Sequence, residues 1–256
     1  MKKLILASTA LALAACNGDG DAAGGNADLP VADAPIENVE APEGQEWSEV
    51  VTMTDAGGYL MGNPDAPIKL VEYGSMTCGA CARFDAEGTE PLVNDYVNSG
   101  RVSFEYRNYT RDVVDITASL LARCGAEGTF FPLTHAMFGA QQQWFGESIP
   151  QLQAIQGQLN AAAPAEQFKL VAETTGLKTF AAQRGLPAAK ADACLADEAA
   201  ASKLVAIKNV ADTDYNISGT PTFLINNKVV EGANQWPGLQ PILAAAVGEP
   251  AGDAAE

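Results

Sequence analysis

Histidine is nearly absent from this chain: His135 is the single one in 256 residues. Metal sites built on several imidazoles are thereby excluded, and a zinc site would need two more ligands at short spacing. Neither Cys124, Cys194 nor His135 supplies a second CxxC or an HxxxH pattern, so no metal is expected. Basic residues are also few, 15 Lys and Arg against 32 Asp and Glu for a formal net charge of -17. That balance excludes a broad electropositive footprint for nucleic acid or anionic headgroups and reads as solubility. Nor is there a membrane-spanning run near the start: the apolar stretch from Leu4 to Ala15 falls short of the roughly 20 residues that cross a bilayer as a helix. With so little imidazole, reactivity has to be sought in the thiols.

Lys2 and Lys3 precede that apolar stretch and Cys16 follows it, which is the order of a secretory signal over residues 1–15. Leu13-Ala14-Ala15-Cys16 resembles a bacterial lipobox. This implies cleavage before Cys16, lipidation of its thiol and retention at a membrane through lipid chains. The other reading is an ordinary secreted protein cut nearby. On the lipobox reading the protein sits on the periplasmic side of a bacterial cell envelope. Five cysteines less a lipidated one leave Cys78, Cys81, Cys124 and Cys194 in a compartment where disulfides persist. Cys124 and Cys194 each lie in an apolar helical stretch, so they are read as a structural disulfide, with two buried free thiols as the alternative.

Residues 16–46 are rich in Gly, Ala, Asp, Pro and Glu without apolar periodicity and are read as a disordered tether. Folded structure is expected from Trp47, with Trp47–Met53 as a short edge strand and a turn at Gly57-Gly58. Ile68–Tyr73 is mostly apolar and suits a central strand covered on both faces. A helix is expected over Gly79–Asn98, kinked by Pro91 and stopped by Gly100. Arg101–Arg107 alternates polar and apolar residues as a half-buried strand does. Residues 112–196 read as helices, 197–215 as another long helix, Thr222–Ile225 and Lys228–Val230 as a hairpin about Asn226-Asn227, and a last helix starts at Trp236. Residues 248–256 look like a frayed acidic tail. The first part of an α/β domain (47–111), a helical insertion (112–196) and the second part of that domain (197–247) follow from this order.

Cys78-Gly79-Ala80-Cys81 lies where a predicted strand passes into a predicted helix, so the first sulfur meets the positive end of the helix dipole. A thiolate there attacks a disulfide, and a second cysteine one turn later resolves the mixed disulfide. A structural disulfide or half a metal site are the competing readings of a bare CxxC. Glu72, a carboxylate in an otherwise apolar strand, is costly unless it is used or reaches an exposed edge. His135, within Phe130–Phe138, reads as a packing or surface residue. The aromatics around it, with Trp144 and Phe145, read as core.

Through Val71-Glu72-Tyr73-Gly74-Ser75-Met76-Thr77-Cys78-Gly79-Ala80-Cys81-Ala82-Arg83-Phe84 and Gly219-Thr220-Pro221-Thr222-Phe223 the chain resembles DsbA-like proteins of the thioredoxin superfamily. The likeness covers about 56–247. It implies a thioredoxin-like α/β fold, a central mixed sheet flanked by helices, carrying an all-helical insertion. It implies a cis Thr220–Pro221 bond beside Cys78, with Gly79, Ala80 and Thr220 supporting the redox pair. Acids matching Glu72 lie beneath the active site in that family, which implies help in deprotonating Cys81. The resemblance further implies a thiol-disulfide oxidoreductase that needs no cofactor beyond its cysteine pair. Its partners would be unfolded or reduced exported client proteins and a membrane redox partner that recycles the dithiol. One departure stands out: Gly79-Ala80 replaces the Pro-His of the best-studied members, which removes a donor to the thiolate and implies a milder oxidant. A reductase or isomerase with the same site, and a non-catalytic chaperone or metal-binding thioredoxin fold, are the alternatives.

Overall fold

The computed structural model describes residues 26–250. The signal sequence and Cys16 lie outside the described residues. In chain order the strands are β1 (Val51–Met53), β2 (Tyr59–Met61), β3 (Ile68–Gly74), β4 (Val102–Asn108), β5 (Thr222–Ile225) and β6 (Lys228–Val229). They form one mixed sheet in the order β1-β2-β4-β3-β5-β6. The central pair β3 and β4 is parallel, with Glu72 opposite Tyr106, and every other pairing is antiparallel. Helix α1 (Gly79–Pro91) makes the crossover between β3 and β4. Between β4 and β5 stand α2 (Val113–Ala122), α3 (Phe130–Gly139), α4 (Gln141–Trp144), α5 (Ile149–Ala154), α6 (Gln156–Ala161), α7 (Pro164–Thr174), α8 (Leu177–Ala182), α9 (Ala188–Leu195) and α10 (Glu198–Asp214), and α11 (Trp236–Ala246) closes the fold.

Two apolar cores hold these layers. One lies between the sheet, α1 and α11, where the Phe84 and Phe223 rings are 4.5 Å apart. The other joins the sheet to the helical segment through Tyr73, Tyr106, Phe130, Leu121 and Leu204. A disulfide between Cys124, just after α2, and Cys194 in α9 ties the helical segment across a separation of 70 positions. By loop closure such a bridge stabilises the fold by up to about 4 kcal/mol.

Within 47–111 the sequence patterns fail at four places. β4 is buried along all seven residues rather than half-buried. Its polar face is covered by α10, and Glu105 there accepts two hydrogen bonds from Arg107 and one from Thr54. A Cβ at Gly58 would stand 2.2 Å from Glu105 Oε1, so the turn before β2 needs a residue without one. That turn makes a β1–β2 hairpin where the pattern suggested only one edge strand, and Trp47–Glu49 is a 3₁₀ turn. Past Pro91 the helix continues as a π-helical turn, Leu92–Val97, because proline has no N–H and its ring crowds the preceding turn.

The expected disordered tether, 16–46, is overturned for its described part, 26–46. These residues have almost no regular structure, yet they lie along the domain as a strap. Ala32 and Ile36 donate backbone hydrogen bonds to Ala245 and Val247, and Val39 donates one to Ser99. Leu29 is buried in the α1–α11 core. The apolar residues enter the core one at a time, which leaves no period to read. The tail expectation for 248–256 fails in the same way at Glu249, which pairs with Arg101. Starting the chain at Trp47 is expected to lower stability by about 2 kcal/mol, the burial of Leu29 alone. A urea midpoint unchanged by that truncation would show that the strap contributes nothing.

Candidate active site

β3 ends at Gly74, where a Cβ would fall 2.5 Å from the Tyr106 ring and 2.8 Å from Glu72 Oε1, so only glycine lets the chain turn off the sheet here. The loop Ser75-Met76-Thr77 follows, and Cys78 is the N-cap of α1. The Cys81 N–H points at Cys78 Sγ from 3.4 Å. Opposite, the Thr220–Pro221 bond is cis, and the Cys78 thiol donates to the Thr220 carbonyl at 3.2 Å. Two segments far apart in sequence thus meet at one sulfur.

The two sulfurs differ in their surroundings. Cys78 is buried but keeps 7% of its area exposed, while Cys81 is sealed at 0%. Both are free thiols. Hydrogen bonding from the Cys81 thiol brings the Cys78 pKa down to about 5 against the opposing effect of burial, assisted by the Thr220 side chain and the N–H groups of Cys81 and Ala80. Burial pushes Cys81 well above the usual thiol range, and its hydrogen bond to Cys78 and the charge of Glu72 push the same way. At neutral pH one sulfur is an anion and its neighbour a thiol, the distribution that thiol-disulfide exchange needs.

Glu72 is fully enclosed on β3 with no hydrogen-bond partner for Oε1, and burial raises its pKa well above the carboxylate range. The edge-exposed reading of this residue is therefore excluded. Gly79 and Ala80 form the first turn of α1, and Gln235 donates to the Ala80 carbonyl at 3.0 Å. A cavity of about 560 Å³ opens beside the cis proline, lined in part by Ser218, Gly219, Thr220 and Pro221. Among the described residues no group of three or more His, Cys, Asp or Glu is disposed to hold a metal ion.

Sequence reasoning missed the residues that hold the loop before Cys78. Asp115, buried in the first turn of α2, accepts hydrogen bonds from the Ser75 hydroxyl at 2.5 Å, the Met76 N–H at 2.9 Å and the Arg111 N–H at 3.1 Å. Burial pushes its pKa up to about 7 against the lowering effect of those donors. Arg111 reaches Thr77 Oγ1 at 2.7 Å, and Gln141 of α4 donates to the carbonyls of Met76 and Cys78. A signal was present for Asp115, a carboxylate between Val114 and Ile116, the same anomaly that singles out Glu72. Nothing in the sequence marks Gln141.

The family described as thioredoxin matches residues 54–245 of the chain. A protein of Rickettsia bellii assigned as a protein-disulfide oxidoreductase is 25% identical over 197 residues, covering 76% of this chain and 67% of that protein. A Rickettsia typhi relative with the same assignment is 23% identical, and the chain spans 60% of its length. Among solved structures, the protein-disulfide isomerase from Novosphingobium aromaticivorans aligns with a TM-score of 0.71 at 34% identity, over 74% of this chain and 97% of that one. Wolbachia pipientis alpha-DsbA1 shares the fold, with a TM-score of 0.61 at 20% identity over 80% and 96% of the two chains.

Since the hydrogen bond from Cys81 and the other donors outweigh burial and bring the Cys78 pKa to about 5, the thiolate is expected to be lost only as pH falls through that value. Iodoacetamide labelling of the reduced protein between pH 3 and 9 should give a single step there, with Cys81 unreactive throughout. A step at the free-thiol value of roughly 8.5 would contradict the geometry.

Proposed function

We infer, for a chain that belongs to the thioredoxin superfamily and within it to the DsbA-like thiol-disulfide oxidoreductases, that the Cys78-Gly79-Ala80-Cys81 dithiol exchanges disulfides with exported client proteins. The observation that carries this reading is the contrast between the two sulfurs, one anionic at a helix N-terminus and one buried and protonated. Cys78 forms the mixed disulfide with a client, and Cys81 closes the internal disulfide and releases it. No cofactor beyond the cysteine pair takes part. In the direction that oxidises a client the same bonds are made and broken in reverse, and Cys81 leaves as a thiolate that must gain a proton.

The Thr220–Pro221 segment supports client binding, because its backbone lies beside the attacking sulfur and next to an open cavity. An extended client chain can pair there through its main chain, as strands added to exposed backbone do. Glu72 serves as the proton acceptor for Cys81, supported by its burial near both sulfurs. The lipobox supports attachment through Cys16 on the periplasmic side of a bacterial envelope, where a membrane redox partner recycles the dithiol.

A Cys78 midpoint near 5 falls between the roughly 7 of thioredoxin and the 3.5 of DsbA. The reduced state is stabilised less than in the stronger oxidant, so the couple is a milder one. Likeness to a protein-disulfide isomerase favours a second reading, in which the same site shuffles wrong disulfides.

Two assays separate these readings. Oxidised protein is expected to accelerate the oxidation of a reduced, unfolded substrate, and Cys78→Ala is expected to abolish the effect. Rescue of a scrambled substrate by the reduced protein, with no acceleration of net oxidation, would establish the isomerase instead. Activity of neither kind would leave a binding protein.

A further inference from the structure

The cavity beside the cis proline is walled by two stretches of chain, residues 215–222 and residues 229–234. The first runs into β5 and carries the Thr220 carbonyl that meets Cys78. The second leaves β6, a strand of only two residues, and reaches α11 without regular structure. The Val230 N–H donates to the Phe223 carbonyl at 2.8 Å, which is the last backbone bond of this wall to the sheet. Beyond it, among the described residues, the backbone of residues 231–234 is hydrogen-bonded at Glu231 alone. There the Asn26 side chain accepts from the Glu231 N–H at 2.8 Å and donates to the Glu231 carbonyl at 3.1 Å.

Asn26 belongs to the strap. Two residues on, the Asp28 carbonyl accepts from Lys228 of β6. Leu29 is buried in the same apolar core as Val230 and Ala233, both of which line the cavity. Farther along, the domain leaves a track for the strap. A Cβ on Gly248 would stand 2.2 Å from the Ala34 carbonyl oxygen, and one on Gly100 would stand 2.4 Å from that of Val39. The strap therefore follows a set course, and its first described residues lie against the less supported wall of the cavity.

We propose that the strap is part of the client site: Asn26 and Leu29 hold residues 230–234 as the second wall of the groove, and the strap thereby sets the affinity for an extended polypeptide. The inference rests on the reading of this cavity as the client groove. An amide side chain bonded to both the N–H and the carbonyl of one residue reproduces the exchange made by a hydrogen-bonded strand pair, so it fixes the course of the wall. A client laid beside the cis proline then meets a loop already ordered, and less ordering is left for association to impose. The hydrogen bonds to Cys78 and Cys81 come from the dithiol loop and Thr220, none of them from the strap. The effect is thus confined to binding, and Asn26 and Leu29 are positioning residues.

Binding and chemistry separate when two substrates share a leaving group. A short unstructured peptide with one central cysteine is converted to its mixed disulfide with thionitrobenzoate, and free cysteine is converted likewise. The Cys78 thiolate of the reduced full-length protein attacks the substrate sulfur, the S–S bond breaks, and thionitrobenzoate leaves with the electron pair as a coloured thiolate. Cys81 then closes the internal disulfide, and the peptide departs as a thiol that takes up the Cys81 proton. With the wild-type protein the rate of colour release is expected to saturate with the peptide and to stay linear with the cysteine derivative. Asn26→Ala and Leu29→Ala are each expected to raise the half-saturating peptide concentration roughly tenfold, about 1.4 kcal/mol of binding. The saturating rate, the rate with the cysteine derivative and the Cys78 pKa should be unchanged. Ile36→Ala, at the strap's contact with Val247, should lower the urea midpoint and leave half-saturation alone, which separates holding the wall from general stability. Asn26 is only half-buried, so its substitution decides the matter even where Leu29→Ala unfolds. Unchanged half-saturation in Asn26→Ala would overturn the role of the strap and keep the groove. Equal slowing toward both disulfides would overturn it too, because the strap would then act on the dithiol. A wild-type rate that never saturates and is the same for both disulfides would reject the groove itself.

Discussion

The site depends on a difference in solvation between two sulfurs held one helical turn apart. Cys78 caps α1 and collects hydrogen bonds that favour its anion, and Cys81, one turn later, faces a core that penalises any charge. Neither condition survives alone. If Cys81 were hydrated it would compete as a thiolate, and if Cys78 lost its donors both sulfurs would be ordinary thiols. The fold arranges the contrast by ending a buried central strand at a glycine and starting a helix five residues later, so that the first cysteine caps the helix and the second turns inward.

Much of this is legible in the sequence. A CxxC after an apolar run and a Thr-Pro before a second run are local signals, and so are the helix stops at glycine and the Asn226-Asn227 turn. Both asparagines adopt positive φ, as a tight hairpin of this kind requires. Contacts between segments without a period were not legible. Leu29 enters the core as a single residue, and Gln141 finds the Met76 and Cys78 carbonyls only because α4 happens to pass there. The burial of β4 on both faces was hidden for a related reason. Glu105 and Arg107 neutralise each other and look like a solvated edge until α10 covers them.

Asp115 shows how the helical segment takes part in the site. Its carboxylate lies at the start of α2, the first helix after β4, and reaches back to the loop that presents Cys78. The segment is therefore more than a lid on the sheet. Through Asp115, Arg111 and Gln141 it determines the conformation of three residues before the attacking sulfur, and the Cys124–Cys194 disulfide holds α2 and α9 together behind them.

Glu72, Asp85 and Asp115 also carry an energetic consequence. All three have folded-state pKa values raised above those of the unfolded chain, chiefly by burial. The sign of the linkage is then fixed: their protonated forms favour the folded state, so the stability they contribute is complete at acid pH below the unfolded values and falls as pH rises through about 6 for Asp85 and about 7 for Asp115. A fold selected for stability alone would replace these acids with apolar residues of similar size. Within this cluster, Glu72 acts on the sealed Cys81 thiol and Asp115 holds the loop before Cys78, which gives their cost a purpose that packing does not. The strap over the α1–α11 core and the disulfide in the helical segment lie away from this cluster and work in the opposite sense, stabilising the frame in which a destabilising site can be kept.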